Sequence, residues 1–92
     1  MLFMAIVTYD TDKRDEIIKR RLTKGRMTPK GMKVLGEWST FGGGRIFMVT
    51  EHNDPKAAFE ATYAWSDLMK FEIMPVYETE QLLKSLQPKK RK

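Results

Sequence analysis

His52, the only histidine in the chain, and Glu37, with Leu35 and Trp38 to either side, are the side chains best suited to moving a proton. Histidine titrates near neutrality and can serve as general acid or base at the mouth of a pocket. A carboxylate on a covered sheet face must find a partner or line a wet cavity. Tyr9 and Trp38 add aromatic surface with polar handles, the kind of wall against which a small organic molecule rests. His52 and Glu37 are therefore the candidate catalytic residues, and Trp38, Tyr9, Glu37 and His52 the candidate ligand-binding residues. Each has a plainer alternative. His52 can be a surface residue at a strand end, Glu37 an edge-strand charge that discourages aggregation, and the aromatics simply core.

Other chemistries are excluded or unsupported. The chain has no cysteine, which removes disulfides, thiolate catalysis and Cys-ligated metal sites. One histidine without cysteine does not supply the usual soft ligands, so no metal and no cofactor is expected. The seven methionines read as gap-fillers and carry no cofactor signature. Gly42-Gly43-Gly44 lacks both the Walker spacing and a following helix, so it reads as a hairpin rather than a phosphate cradle.

The net charge of +5 suggests nucleic acid until it is located. Lys89, Lys90, Arg91 and Lys92 supply four of those charges, leaving 13 basic against 12 acidic groups in the body. Within it, Lys13 to Lys33 holds nine basic residues against Asp15 and Glu16, a stretch that could attract an anionic partner. The tail could hold a polyanion but comes with no aromatic interleaving or recognition helix, so sequence-specific nucleic-acid binding is not expected.

Positioning these residues requires a fold, and the pattern gives one. Leu2 to Tyr9 is a near-continuous apolar run of strand length, as in a strand covered on both faces. It lacks a basic n-region and a small-residue cleavage site, so it reads as a strand and not a signal peptide, and no stretch is long enough to span a bilayer. Asp12 is the expected cap of a helix ending near Gly25, with Ile17, Ile18 and Leu22 as its apolar stripe. Lys33 to Thr40 and Arg45 to His52 read as a strand pair. A turn centred on Gly43 would put Val34, Gly36, Trp38 and Thr40 on one face with Ile46, Met48, Thr50 and His52. Asn53-Asp54-Pro55 starts a second helix running to about Asp67, with Ala58, Ala61, Trp65 and Leu68 in its stripe. Lys70 to Tyr77 is a fourth strand whose Pro75 requires an edge or bulge, and Glu80 to Leu86 is a short helix stopped by Pro88.

The order βαββαβ with a terminal helix predicts an α+β, ferredoxin-like antiparallel sheet with strand 1 between strands 3 and 4. The expected organisation is one domain over residues 1–87 and a basic tail over 88–92. Both helices cover one sheet face, while every strand has large apolar residues at odd and even positions. The bare face therefore calls for a second copy, and a two-fold homodimer is expected.

MLFMAIVTYD, KVLGEWSTFGGGRIFMVTEHNDPKA and ATYAWSDLMKFEIMPVYE, in this order and spacing, resemble the dimeric α/β-barrel superfamily, and within it a small prokaryotic family of unknown function. The resemblance covers most of residues 1 to 78 and implies the ferredoxin-like fold and sheet-to-sheet dimerisation. It implies no reaction, because such relatives include cofactor-independent monooxygenases, isomerases, haem enzymes and ligand-sensing domains. The leading expectation is a cytoplasmic homodimer that binds a small organic ligand between sheet and helices. The alternatives are a cofactor-independent oxygenase or isomerase using His52 or Glu37, and an accessory polyanion binder using the basic helix and tail.

Overall fold

The computed structural model describes residues 1–88; the basic tail Lys89 to Lys92 lies outside the described residues. Seven-residue strands β1 (Leu2–Thr8), β2 (Lys33–Ser39), β3 (Arg45–Glu51) and β4 (Lys70–Val76) form one sheet in the order β2-β3-β1-β4, antiparallel throughout. With helices α1 (Arg14–Lys24), α2 (Pro55–Tyr63) and α3 (Thr79–Leu86), this is the α+β, ferredoxin-like arrangement. The most apolar strand, β1, lies inside the sheet, and Pro75 lies on edge strand β4, where its missing N–H leaves no ladder bond unmade on the open side.

Cross-strand pairing sorts the side chains into two faces. Val7 pairs with Ile46 and Phe71, and Ala5 with Met48 and Ile73. These residues lie on the helix side, where Val7, Ile17, Ile46, Trp65, Leu68 and Met69 form the buried core. On the other side, Met4 stands beside Val49 and Met74, and Ile6 beside Phe47 and Glu72. No side chain on that face is buried.

The hairpin register departs from the expectation. Gly43 N donates to Thr40 O and Thr40 N to Arg45 O, so the turn centres between Gly42 and Gly43 rather than on Gly43. Ser39 consequently faces Ile46, and Trp38 faces Phe47. The parity inverts: Glu37 and Ser39 lie on the helix side and Gly36 and Trp38 on the open side. A bulge at Leu35 returns Val34 to the face it was expected to share with Thr50, although its partner is now Thr50 itself rather than His52. Gly43 and Gly44 have φ of 80° and 87°, a region glycine enters without the Cβ clash other residues meet.

Helix boundaries differ in two places. A 3-10 turn over Thr11–Lys13 precedes α1, whose N-cap is Lys13 with no side-chain cap, so Asp12 does not cap it. The other limit is the end of α2, which stops at Tyr63; the chain then turns through Trp65 to Met69 so that Trp65, Leu68 and Met69 all reach the core. Its start is as expected, with Asp54 Oδ1 accepting from Lys56 N at 3.0 Å and Pro55 in the first turn.

The radius of gyration is 16.5 Å and the long axis 62 Å, against about 12 Å for the radius of a compact domain of this length. The excess matches α3, in which every residue is exposed, Leu82, Leu83 and Leu86 among them.

Candidate functional site

A cavity of about 370 Å³ lies between α1 and the sheet. Its floor is apolar and comes from strand positions already assigned to the helix side: Val7, Ile46, Met48 and Phe71. The roof is α1. Of its apolar stripe only Ile17 is buried; Ile18 is 48% exposed and Leu22 79%, and both overhang the cavity instead of closing onto the floor. The glycine turn and Phe41 form one end.

Long polar side chains hold the helix off the sheet. Arg21, on α1, donates from Nη1 to Glu37 Oε2 at 3.0 Å and from Nη2 to Oε1 at 2.7 Å. Arg26, in the loop after α1, donates from Nη2 to Glu37 Oε1 at 2.9 Å. The loop is itself pinned, since Trp65 Nε1 donates to Arg26 O at 3.1 Å. On the other flank of α1, Arg20 makes a two-pronged pair with Asp67 at 2.9 and 2.7 Å, donates to Ala64 O at 2.9 Å, and lies over the Trp65 ring at 5.3 Å.

Glu37 is the best covered member of the trio, its side chain 12% exposed against 39% for each arginine. Hydrogen bonding from Arg21, opposed by desolvation and reinforced by the Arg26 hydrogen bond, holds its carboxyl below the usual carboxylate range. A carboxylate with both oxygens already accepting from guanidinium groups is a poor proton acceptor. It serves as an anionic anchor rather than a base.

Tyr9 lines the same cavity, its hydroxyl close to Gly43, where an added Cβ would stand 3.8 Å away. His52 is elsewhere. It is 5% exposed, stacked on Phe3 with ring centroids 4.3 Å apart and planes within 9°, and its Nδ1 finds no hydrogen-bond partner. It borders a second, smaller cavity of about 60 Å³ with Thr50, Thr62 and Met32, under α2. Trp65, Arg26, Met48 and Phe71 border both cavities and so divide them. Trp38 lines neither. It projects from the open face, 59% exposed, with its indole folded over Gly36, whose absent Cβ makes room for the ring.

Of the four candidate binding residues, Tyr9 and Glu37 thus meet at one cavity, His52 borders its neighbour, and Trp38 faces away. Arg14, Arg21 and Arg26, none of them a candidate from sequence, line the larger cavity. For Arg21 and Arg26 the signal was Glu37 itself, a carboxylate inside a strand that needed a partner. Among the described residues no group of three or more His, Asp or Glu side chains could hold a metal ion, and no helix is long and apolar enough to cross a membrane.

Residues 1–90 match the family described as Domain of unknown function (DUF3303). No curated protein matches the chain, and no solved structure does.

Proposed function

The chain belongs to this family of unknown function, and from its geometry we propose that it is a homodimeric binding domain of the dimeric α/β-barrel type, holding a small organic molecule between α1 and the sheet. The observation that carries the reading is the cavity of about 370 Å³ with an apolar floor, a polar rim and an uncollapsed helical roof. Ligand sites have this size and this mixture of walls. Tyr9 offers a hydroxyl, Glu37 and its arginines fix the rim, and Ile18 and Leu22 would be covered by the bound molecule. A cytoplasmic setting, consistent with a chain free of cysteine, belongs to the same reading.

A second copy would cover the open face. Its middle rows are Gly36, Val49, Met4 and Met74, then Trp38, Phe47, Ile6 and Glu72, while Thr8, Arg45 and Lys70 stand at one end and Lys33 and Glu51, with Leu2 and Val76, at the other. An apolar centre with a charged rim is the composition of a protein interface. Four strands of this length project about 450 Å², short of the roughly 800 Å² per partner of a stable interface. Side-chain relief adds to that area. So does α3, which follows β4 after two residues and leaves Leu82, Leu83 and Leu86 exposed.

Two measurements test this. Denaturing extraction of the purified protein followed by mass spectrometry should release a small molecule at near-stoichiometric amount, and light scattering should give twice the chain mass. Phe47→Glu should return the mass to that of one chain. A monomeric parent protein at high concentration, with nothing extractable, would defeat both halves of the proposal.

A further inference from the structure

We infer that the molecule held under α1 is a monoanionic organic acid, a carboxylate on an apolar body, oriented with its acid group toward Arg14 and Arg21. This rests on the cavity being a ligand site and adds the class of ligand. The charges at the rim point to an anion. Arg14, Arg21 and Arg26 line the cavity and Glu37 is the acid among its walls, which leaves two positive charges in excess. Asp15, bonded to Arg14 Nε at 3.2 Å, offsets one of them from outside. The surplus is about one charge, the amount a single carboxylate neutralises.

Geometry points the same way. Glu37 uses only the inner edges of its two guanidinium groups, three hydrogen bonds in all, and each planar fork has further N–H donors free for a second acceptor. Because Glu37 is kept ionised between two arginines, it immobilises donors that would otherwise sweep through solvent. That preorganisation favours a planar anion over a neutral polar group. Behind the rim the floor of Val7, Ile46, Met48 and Phe71 is apolar, and the hydroxyls of Tyr9, Ser39 and Thr40 are the other polar groups along the walls, so the body of the ligand is mainly apolar.

The test uses a matched pair of probes, octanoate and 1-octanol, titrated calorimetrically into the full chain at low salt, with inorganic phosphate as a third arm. Octanoate should bind about tenfold or more tightly than octanol, as one charge-assisted contact implies, and phosphate alone should bind weakly. Arg14→Gln removes one cation at an exposed position, and Leu22→Glu places a competing carboxylate on an exposed roof residue. Both should fold, and both should cut the preference for the acid over the alcohol by about threefold or more. Equal affinity for acid and alcohol would overturn the charge argument yet leave the cavity a ligand site. A preference that survives in both variants would place the acid elsewhere and overturn the assignment. Phosphate binding as tightly as octanoate would show an anion site without an apolar requirement, again against the proposal. Failure of both octyl probes to bind at millimolar concentration would remove the ligand-site reading itself.

Discussion

Replacing Glu37 by glutamine tests the trio on which the cavity geometry rests. The carboxylate accepts three hydrogen bonds from Arg21 and Arg26 and is 12% exposed, so E37Q leaves two guanidinium groups facing each other across a neutral amide. Breaking a fully buried ion pair costs about 3–5 kcal/mol. Here both arginines are 39% exposed, so they recover hydration when released, and the amide oxygen still accepts one bond. A loss of about 2 kcal/mol follows at neutral pH, equivalent to a fall in Tm of about 10 °C for a domain this small. The pH dependence gives a sharper criterion. The Glu37 carboxyl sits below its ordinary value of 4.5 in the folded protein because it is hydrogen-bonded to Arg21 and Arg26. A depressed native pKa means that the unfolded chain binds the proton more readily. Its contribution is therefore complete above the unfolded value and is lost as pH falls through the folded one. Urea denaturation of parent and E37Q, at one fixed protein concentration from about pH 7 to about pH 3, should show a stability gap that narrows on acidification. Parent and variant within about 0.5 kcal/mol at neutral pH, or a gap that stays constant into acid, would refute the assignment of Glu37 as an ionised anchor.

Two further substitutions probe the frame around the cavity. Gly44→Ala forces a Cβ onto a residue at φ 87°, which should cost about 1–2 kcal/mol in denaturant unfolding, although nothing closer than 3.6 Å stands in the way of the added carbon; a neutral result would show that the turn readily takes another path. His52→Phe keeps the stack on Phe3 and removes a buried Nδ1 that bonds to nothing, so the variant should be as stable as the parent or more so, and should bind octanoate unchanged; lost binding would move the site toward the second cavity.

Much of this architecture is legible along the chain because the signals are local. The unbroken run of β1 marks an inner strand, Asp54-Pro55 marks the start of α2, and the glycines at 42–44 mark a hairpin, since each depends on a few consecutive residues. What fails is parity. Moving the turn centre by half a residue exchanges the faces of Glu37 and Trp38, and the bulge at Leu35 then hides the shift by restoring Val34 to its expected face. Two candidates of one predicted pocket accordingly end on opposite sides of a sheet. The arginines fail for a different reason. A basic run in a helix reads as a solvated face, and only the phase and height of α1 above the sheet determine that Arg20 reaches Asp67 while Arg21 reaches Glu37.

That height is where fold and site meet. A helix resting on a sheet through leucine and isoleucine settles to the distance those side chains allow, and it leaves no space the size of a ligand. Here the supports on either flank of α1 are guanidinium groups, Arg20 on Asp67 and Trp65, Arg21 with Arg26 on Glu37, and a paired arginine is long and stiff in its fork. Ile18 and Leu22 remain exposed above Val7, Ile46 and Phe71 because the struts hold them there. Bringing those two side chains down would bury apolar surface worth about 25 cal/mol per Å², a gain the folded chain forgoes. The same forgone burial recurs on the open face and along α3. The proposed apolar acid under α1 and the proposed second copy across the sheet would meet these two deficits from outside the chain, and the variants that separate them therefore act on different surfaces. E37Q, by removing the strut, should let α1 settle and so weaken octanoate binding without changing the mass measured by light scattering, whereas Phe47→Glu should change the mass and leave the cavity intact.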